Sequence, residues 1–446
     1  EAAESRVFLW DSIWELEEED RELVVHFYMS GLPQSTIARS LGVSVYTVKN
    51  RLRAIRARLR ERMMKAMQED LDSKKPSRDT NFEERVFKEV RRISPASLTV
   101  MMQEFGVLSE GAVTSVTQEV EKETHYSGSY RLLPEYSDDA TGDLPRALFL
   151  KTGTGNEEYL FYKHLASSLD GNISVACYGA KLPPDADSDQ FVVLLEDVSE
   201  THTEPEIGPE VVWPDAETAE GIVNAFGMFH AIGWGDWQLE DEPGKKRQFL
   251  PTSGNATKLP DAVFDWTMGI RGAKRTIRRY CDTSTEDLDA FLAFMGDRLS
   301  KDHRASLVRV NEQFPDLLIE RLQSRKNLTL THRDTNPWNV LVPRKPGSGP
   351  VYLIDWMNIR IYTGADDVAA HICRFWTPEV QREMERDMAQ LHYHGLVAAG
   401  VERYPWEEYW YDYRLAVMEQ VYKRAWRSRY LNWDGLAFWV CENVLA

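Results

Sequence analysis

The stretch that most constrains this chain is LTHRDTNPWNVLVP, residues 330–343, a polar loop held between two apolar runs. Within it the carboxylate Asp334 precedes the carboxamide Asn339 by five residues. Sixteen residues beyond Asn339 the apolar run VYLIDW ends near a second carboxylate, Asp355. The intervening PRKPGSGP has the Pro/Gly composition of a hairpin turn. Two short strands joined by such a turn bring Asn339 and Asp355 close together. An amide oxygen and a carboxylate make the small, hard oxygen set that suits Mg2+.

Composition sets outer limits. The chain has 446 residues, enough for more than one cored domain, and no run approaches the roughly 20 apolar residues of a membrane span. Its start, around Glu1, reads as an acidic amphipathic segment rather than a secretory signal. The four cysteines lie far apart without a CxxC pair, which points away from a zinc ribbon and toward a reducing, cytoplasmic compartment. The formal net charge of -18 argues against nucleic acid as a partner for the chain as a whole. However, Lys49 to Lys65 holds eight basic residues against one acidic residue, Glu61.

That basic block sits in PQSTIARSLGVSVYTVKNRLRAIRARLRERM. Pro33 suits a first helical turn, Gly42 a helix end and Ser44 the N-cap of a second helix. Val48, Leu52, Ile55 and Leu59 then form one apolar stripe, with the basic side chains mostly on other faces. This is a helix-turn-helix pattern, and it resembles the promoter-reading region 4 of bacterial sigma factors. The resemblance implies that Ser44, Tyr46, Thr47, Lys49, Asn50 and Arg53 face DNA, with the remaining arginines on phosphates. A small all-α domain over residues 1–68, a polar linker with a connecting helix over 69–94, and a larger domain over 95–446 are expected.

In the larger domain GSYRLLPEY, RALFLK, NISVACYGAKL and QFVVLLEDV read as strands, and NEEYLFYKHLASSL as a helix among them. Beyond residue 215 helical periodicity dominates, as at Ile222, Phe226 and Phe229. HRDTNPWN matches the kinase catalytic-loop pattern residue for residue. Phosphoryl transfer needs metal ligands, a cation on the phosphates and a carboxylate for the attacking hydroxyl. Lys151, at the end of ALFLK, and Glu158, opening the next helix, supply a candidate phosphate-side pair. Glu196 and Val198, in LLEDV, stand where a lobe-connecting hinge would read adenine.

Together these segments resemble the aminoglycoside phosphotransferase and choline kinase-like superfamily, most closely its ecdysteroid-kinase-like branch. The resemblance implies an α+β, two-lobed kinase-like domain, with an N-lobe near 95–198 and a C-lobe near 199–446. It implies ATP and Mg2+ as cofactors and a small hydroxylated molecule as substrate. Carried over by position, Asp334 is the base, Asn339 and Asp355 the metal ligands, Lys151 and Glu158 the phosphate-side pair, and Asp367 a structural carboxylate. IDW stands where protein kinases carry DFG, and a single Gly128 stands where GxGxxG would be. His230 and His332 read as structural hydrogen-bonders, and the aromatic run at 404–415 as core more readily than pocket. The alternative is a transcriptional regulator whose kinase-like domain senses a ligand without turnover. Nothing in the sequence fixes the oligomeric state.

If residues 33–65 contact DNA, gel-shift binding weakens steeply as salt rises, because each neutralised phosphate releases counterions. Unchanged mobility of every DNA tested would contradict the DNA reading.

Overall fold

The structure, a computed structural model, describes residues 47–48, 51–52, 55, 93–123, 127–154, 157–169, 173–182, 190–208, 211–240, 248–259, 285–427 and 444. The chain divides into two compact units, Glu1–Arg92 and Ile93–Ala446. In the first unit Thr47, Val48, Arg51, Leu52 and Ile55 are helical. Val48, Leu52 and Ile55, three of the four residues of the expected apolar stripe, are buried, and Leu59 lies outside the described residues. Ser44, Tyr46, Lys49, Asn50 and Arg53 lie outside the described residues, as do the linker and the connecting helix up to residue 92.

The second unit opens with helix α1 (Pro95–Glu104), capped by the Ser94 hydroxyl, which accepts from the Ser97 N–H. Strands β1 (Val113–Glu123), β2 (Ser127–Tyr136), β3 (Leu148–Thr154), β4 (Cys177–Lys181) and β5 (Gln190–Glu196) follow. They form one antiparallel sheet in the order β1-β2-β3-β5-β4. One face buries Leu132, Leu148, Leu150 and Leu194 with Leu98 and Met102 of α1. The other contributes Phe191, Val193 and Leu195 to the main core shared with the helices. The unbroken burial of Val193, Leu194 and Leu195 along β5 is what a sheet covered on both faces requires.

Two expected elements differ in form. The helix after β3 has one α-turn, α2 (Glu157–Leu160), and then widens into a π-turn over Phe161–Leu165. The widening accompanies a flat stack of Phe161 on Trp356, with ring centroids 3.8 Å apart, just past Asp355 in the chain. Among the described residues of NISVACYGAKL only Cys177–Lys181 is strand, and its register slips between Cys177 and Gly179. Phe105 lies against Gly179 so closely that a Cβ there would sit 2.2 Å from the ring.

The helix-rich part begins with α3 (Ala216–Ile232), whose N-cap Asp215 accepts from the Thr218 N–H at 2.9 Å. Its buried Ile222, Phe226 and Phe229 are the residues whose spacing announced it. Next come α4 (Lys301–Gln323), β6 (Thr329–Thr331), β7 (Val340–Pro343), β8 (Tyr352–Leu353) and β9 (Arg360–Tyr362). The chain then forms α5 (Ala365–Phe375), α6 (Pro378–Ala398) and α7 (Trp406–Arg427). A buried bidentate pair ties α4 to α7, with Arg321 donating to both oxygens of Asp412 at 2.5 and 2.7 Å. Tyr404, Tyr409 and Tyr413 are buried, so that part of the aromatic run is core. Among the described residues no helix is long and apolar enough to cross a membrane.

Strand β6, which leads into the polar loop, is pressed against the end of α3. Thr329 Oγ1 donates to the His230 carbonyl at 2.5 Å. A Cβ on Gly233 would meet the Leu330 backbone nitrogen at 2.8 Å. Replacing Gly233 with Ala therefore forces β6 outward, and an equilibrium denaturation curve is expected to show a loss of about 1–3 kcal/mol. An unchanged midpoint would mean that this contact does not set the strand's position.

Candidate active site

The hairpin inferred from PRKPGSGP is present: Val340 pairs with Leu353 and Leu341 with Tyr352. At its open end the Asn339 carbonyl accepts from the Ile354 N–H at 3.0 Å, which sets Asn339 beside Asp355. Asn339 Nδ2 donates to the Asp334 carbonyl at 2.9 Å, closing the loop on itself. Asn358 Nδ2 reaches Asp334 Oδ2 at 3.4 Å, so residues on both sides of Asp355 touch the loop's own groups.

Two non-glycine residues here have left-handed backbones, Arg333 with φ 64° and Asp355 with φ 67°. Such conformations cost of order 1 kcal/mol and persist only where their surroundings over-determine them. For Arg333 the surroundings are visible. Asp367, near the start of α5, accepts from the His332 N–H at 2.5 Å and from the Arg333 N–H at 2.9 Å. His230 Nε2 lies 3.0 Å from the same carboxylate, and the wire continues from His230 Nδ1 to His392 Nε2 (2.9 Å) and from His392 Nδ1 to the Tyr409 hydroxyl (3.0 Å). Burial disfavours the Asp367 charge, yet these donors outweigh it and hold its pKa below the usual carboxylate range. Burial holds His392 neutral. One tautomer set then satisfies every member: Tyr409 donates to His392, His392 to His230, and His230 to Asp367.

Helix α5 meets the loop at regular intervals. Asp367, His371 and Arg374, at +4 and +7, share one face. They engage His332 and Arg333, then Thr335, then Asn336. His371, pushed down to about 4 by burial, is neutral and donates Nδ1–H to the Thr335 carbonyl at 2.7 Å. Arg374 donates to Asn336 Oδ1 at 2.7 Å, and Asn336 Nδ2 donates to Asp334 Oδ1 at 2.5 Å. The Arg333 side chain is spent elsewhere, on Asp366, on Glu419 (3.0 Å) and on the face of Tyr362. Burial pushes Asp366 up to about 7; it works the same way on Glu419, but Lys423 and Arg333 hold that group low. His332 is a structural hydrogen-bonder: its Nε2 bonds the Ile354 carbonyl at 2.9 Å, and its Nδ1 lies 3.3 Å from the Asp334 N–H.

The sheet supplies the cation. Lys151 Nζ lies 2.8 Å from Glu158 Oε1 and 2.9 Å from Asp355 Oδ1. Burial works against the ammonium, but the two carboxylates outweigh it and raise its pKa. Glu158 is fully buried, and burial lifts its pKa despite the lysine. Glu196 ends β5 opposite Leu148. The Val198 carbonyl accepts from the Thr201 and His202 N–H groups at 3.0 and 2.8 Å. Lys151, Glu158, Asp355, Asn339 and Asp334 therefore form one connected set, with Glu196 and Val198 at the end of the neighbouring strand.

Among the described residues no group of three or more His, Cys, Asp or Glu could hold a metal ion. The remaining oxygens do fit magnesium. With Asn339 Nδ2 committed to the loop, its Oδ1 is the atom left for a cation, and Asp355 keeps Oδ2. Sequence reasoning missed Asn336, Asn358, His371, Arg374 and His392. The spacing from Asp367 to His371 and Arg374 carried a usable signal; Asn358 and His392 had none.

Asp367→Ala strips two backbone N–H groups and His230 of their buried acceptor. Its unfolding free energy is expected to fall by about 3–5 kcal/mol. A loss under about 1 kcal/mol in denaturant titration would show that the loop is held by other contacts.

Comparison with known proteins matches residues 269–404 to the phosphotransferase enzyme family (APH) and residues 9–59 to sigma-70 region 4. The first match spans Asp334, Asn339, Asp355 and Asp367 but begins beyond Lys151 and Glu158. No curated protein matches the chain. Similar solved structures include a candidate aminoglycoside phosphotransferase from Ralstonia eutropha JMP134, 12% identical with a TM-score of 0.45, covering 79% of this chain and 95% of that one. An ethanolamine kinase from Plasmodium vivax is 10% identical with a TM-score of 0.38, covering 74% and 80%. The choline kinase LicA from Streptococcus pneumoniae is 12% identical with a TM-score of 0.32, covering 78% and 98%. Likeness of that degree assigns no substrate. The chain thus carries one segment that matches sigma-70 region 4 and another that matches the phosphotransferase enzyme family, and its second unit is a mixed α+β fold with a strand-rich and a helix-rich part.

Proposed function

We propose that this protein is an ATP- and Mg2+-dependent phosphotransferase acting on a hydroxyl group of a small molecule, with an N-terminal helix-turn-helix over residues 1–68 that contacts DNA. The observation that carries the reading is the convergence on Asp355. Lys151 reaches it from the sheet, while the hairpin and Asn358 link it to Asn339 and Asp334. Groups with these charges, joined in this order, match the needs of a γ-phosphoryl group.

In this reading Lys151, held by buried Glu158, lies on the α- and β-phosphates. Backbone groups near Glu196 and Val198 read the adenine edge. Asn339 Oδ1 and Asp355 would hold magnesium, which would supply neutralisation of phosphate charge. Asp334 orients the acceptor hydroxyl and takes its proton as the acceptor oxygen bonds to the γ-phosphorus. The bond from that phosphorus to the β–γ bridging oxygen breaks, and ADP leaves. Asp334 is half-buried, and Trp338 in the same loop and Met357, next to Asn358 in the chain, are exposed apolar side chains available to an acceptor.

ADP release from Mg-ATP across aminoglycosides, choline-like alcohols and sterol-like alcohols tests the proposal. Turnover with one class is expected, reduced about 10²–10⁴-fold by Asp334→Ala. Equal turnover in the variant, or no nucleotide binding in the wild type, would move the assignment to a ligand-sensing regulator.

A further inference from the structure

Both oxygens of Asp334 face a carboxamide, and the two carboxamides differ in character. Asn336 is buried and donates to Oδ1 at 2.5 Å, whereas Asn358 is exposed and reaches Oδ2 at only 3.4 Å. Behind Asn336 stands Arg374, donating to its amide oxygen at 2.7 Å and lying over the Phe375 ring at 4.6 Å. The guanidinium decides which way the amide points. Its oxygen must face Arg374, so its N–H must face the carboxylate; the flipped amide would set donor against donor and acceptor against acceptor.

We propose that Asn336, oriented by Arg374, is a positioning residue for phosphoryl transfer: it holds Oδ1 of Asp334 so that Oδ2 alone is presented to the acceptor hydroxyl, in the place of the weak contact with Asn358. The inference rests on Asp334 being the base. An amide between the guanidinium and the carboxylate has a chemical purpose. Direct Arg374–Asp334 pairing would engage the carboxylate bidentately and leave neither oxygen for the acceptor. Relayed through Asn336, the cation fixes one oxygen and leaves the other open.

A merely structural Asn336 would only fasten α5 to the loop, and one substitution separates the two roles. Asn336→Asp keeps the size and the bond to Arg374 but has no N–H for Asp334. The measurement is steady-state ADP release from Mg-ATP, with water as acceptor where no other has been found. It compares wild type, Asn336→Asp, Asn336→Ala, Arg374→Gln and the Asn336→Ala/Arg374→Gln pair, with thermal unfolding alongside. Both Asn336 variants are expected to lose about 10- to 100-fold in kcat, with KM for Mg-ATP changed by less than about twofold. Asn336→Asp, in which a new ion pair with Arg374 offsets repulsion from Asp334, stays folded at the assay temperature, and the pair is no slower than Asn336→Ala alone, because both act through one contact. Wild-type kcat in Asn336→Asp, a loss that falls on KM, or fully additive effects would overturn the inference. Turnover abolished by Asp334→Ala but kept in Asn336→Ala would remove this inference and leave the proposed function standing. A wild-type chain that binds Mg-ATP and releases no ADP would remove both.

Discussion

The buried carboxylate of Asp367 is the contact on which the site depends. It is fully buried and is stabilised by two backbone N–H groups and His230. Those same bonds hold Arg333 in a left-handed conformation that an unsupported chain would leave. With Arg333 turned, its side chain goes to Asp366 and Glu419, and Asp334 emerges on the other side of the loop. The wire through His392 to Tyr409 ties this one residue to α6 and α7. A large part of the helical core thereby serves to fix the direction of a single carboxylate.

The second constraint joins sheet to loop. Lys151 is almost wholly desolvated, which is unfavourable unless anions are near, and Glu158 and Asp355 meet that need together. Glu158 is locked in the interior, while Asp355 lies partly exposed at a hairpin end. The interaction is therefore lopsided: one carboxylate is a fixed anchor, and the other can exchange the ammonium for another cation.

Much of the site was legible because its signals are local. Asp334, Asn339 and Asp355 sit within one loop and one hairpin, so spacing and turn composition sufficed. The apolar periods of α3 and of the sheet strands are likewise short-range facts. Asn336 and Asn358 were not legible, since their importance comes from where a neighbouring oxygen lies rather than from spacing. His230 and His392 are 162 residues apart and share a hydrogen bond that only helix packing creates. The π-turn after Glu158 accompanies the stack of Phe161 on Trp356, again a contact between distant segments. Sequence exposes what a segment does by itself; here the fine orientation of the carboxylate is set by residues from four separate helices and loops.

The central claim is that Lys151, Asn339 and Asp355 form one nucleotide site together with Asp334. Calorimetric titration of the full chain with a non-hydrolysable ATP analogue, with Mg2+ and then with EDTA, tests it most directly. One binding event per chain is predicted, weakened by EDTA and by Lys151→Met. No heat of binding, or binding indifferent to both changes, would contradict the account.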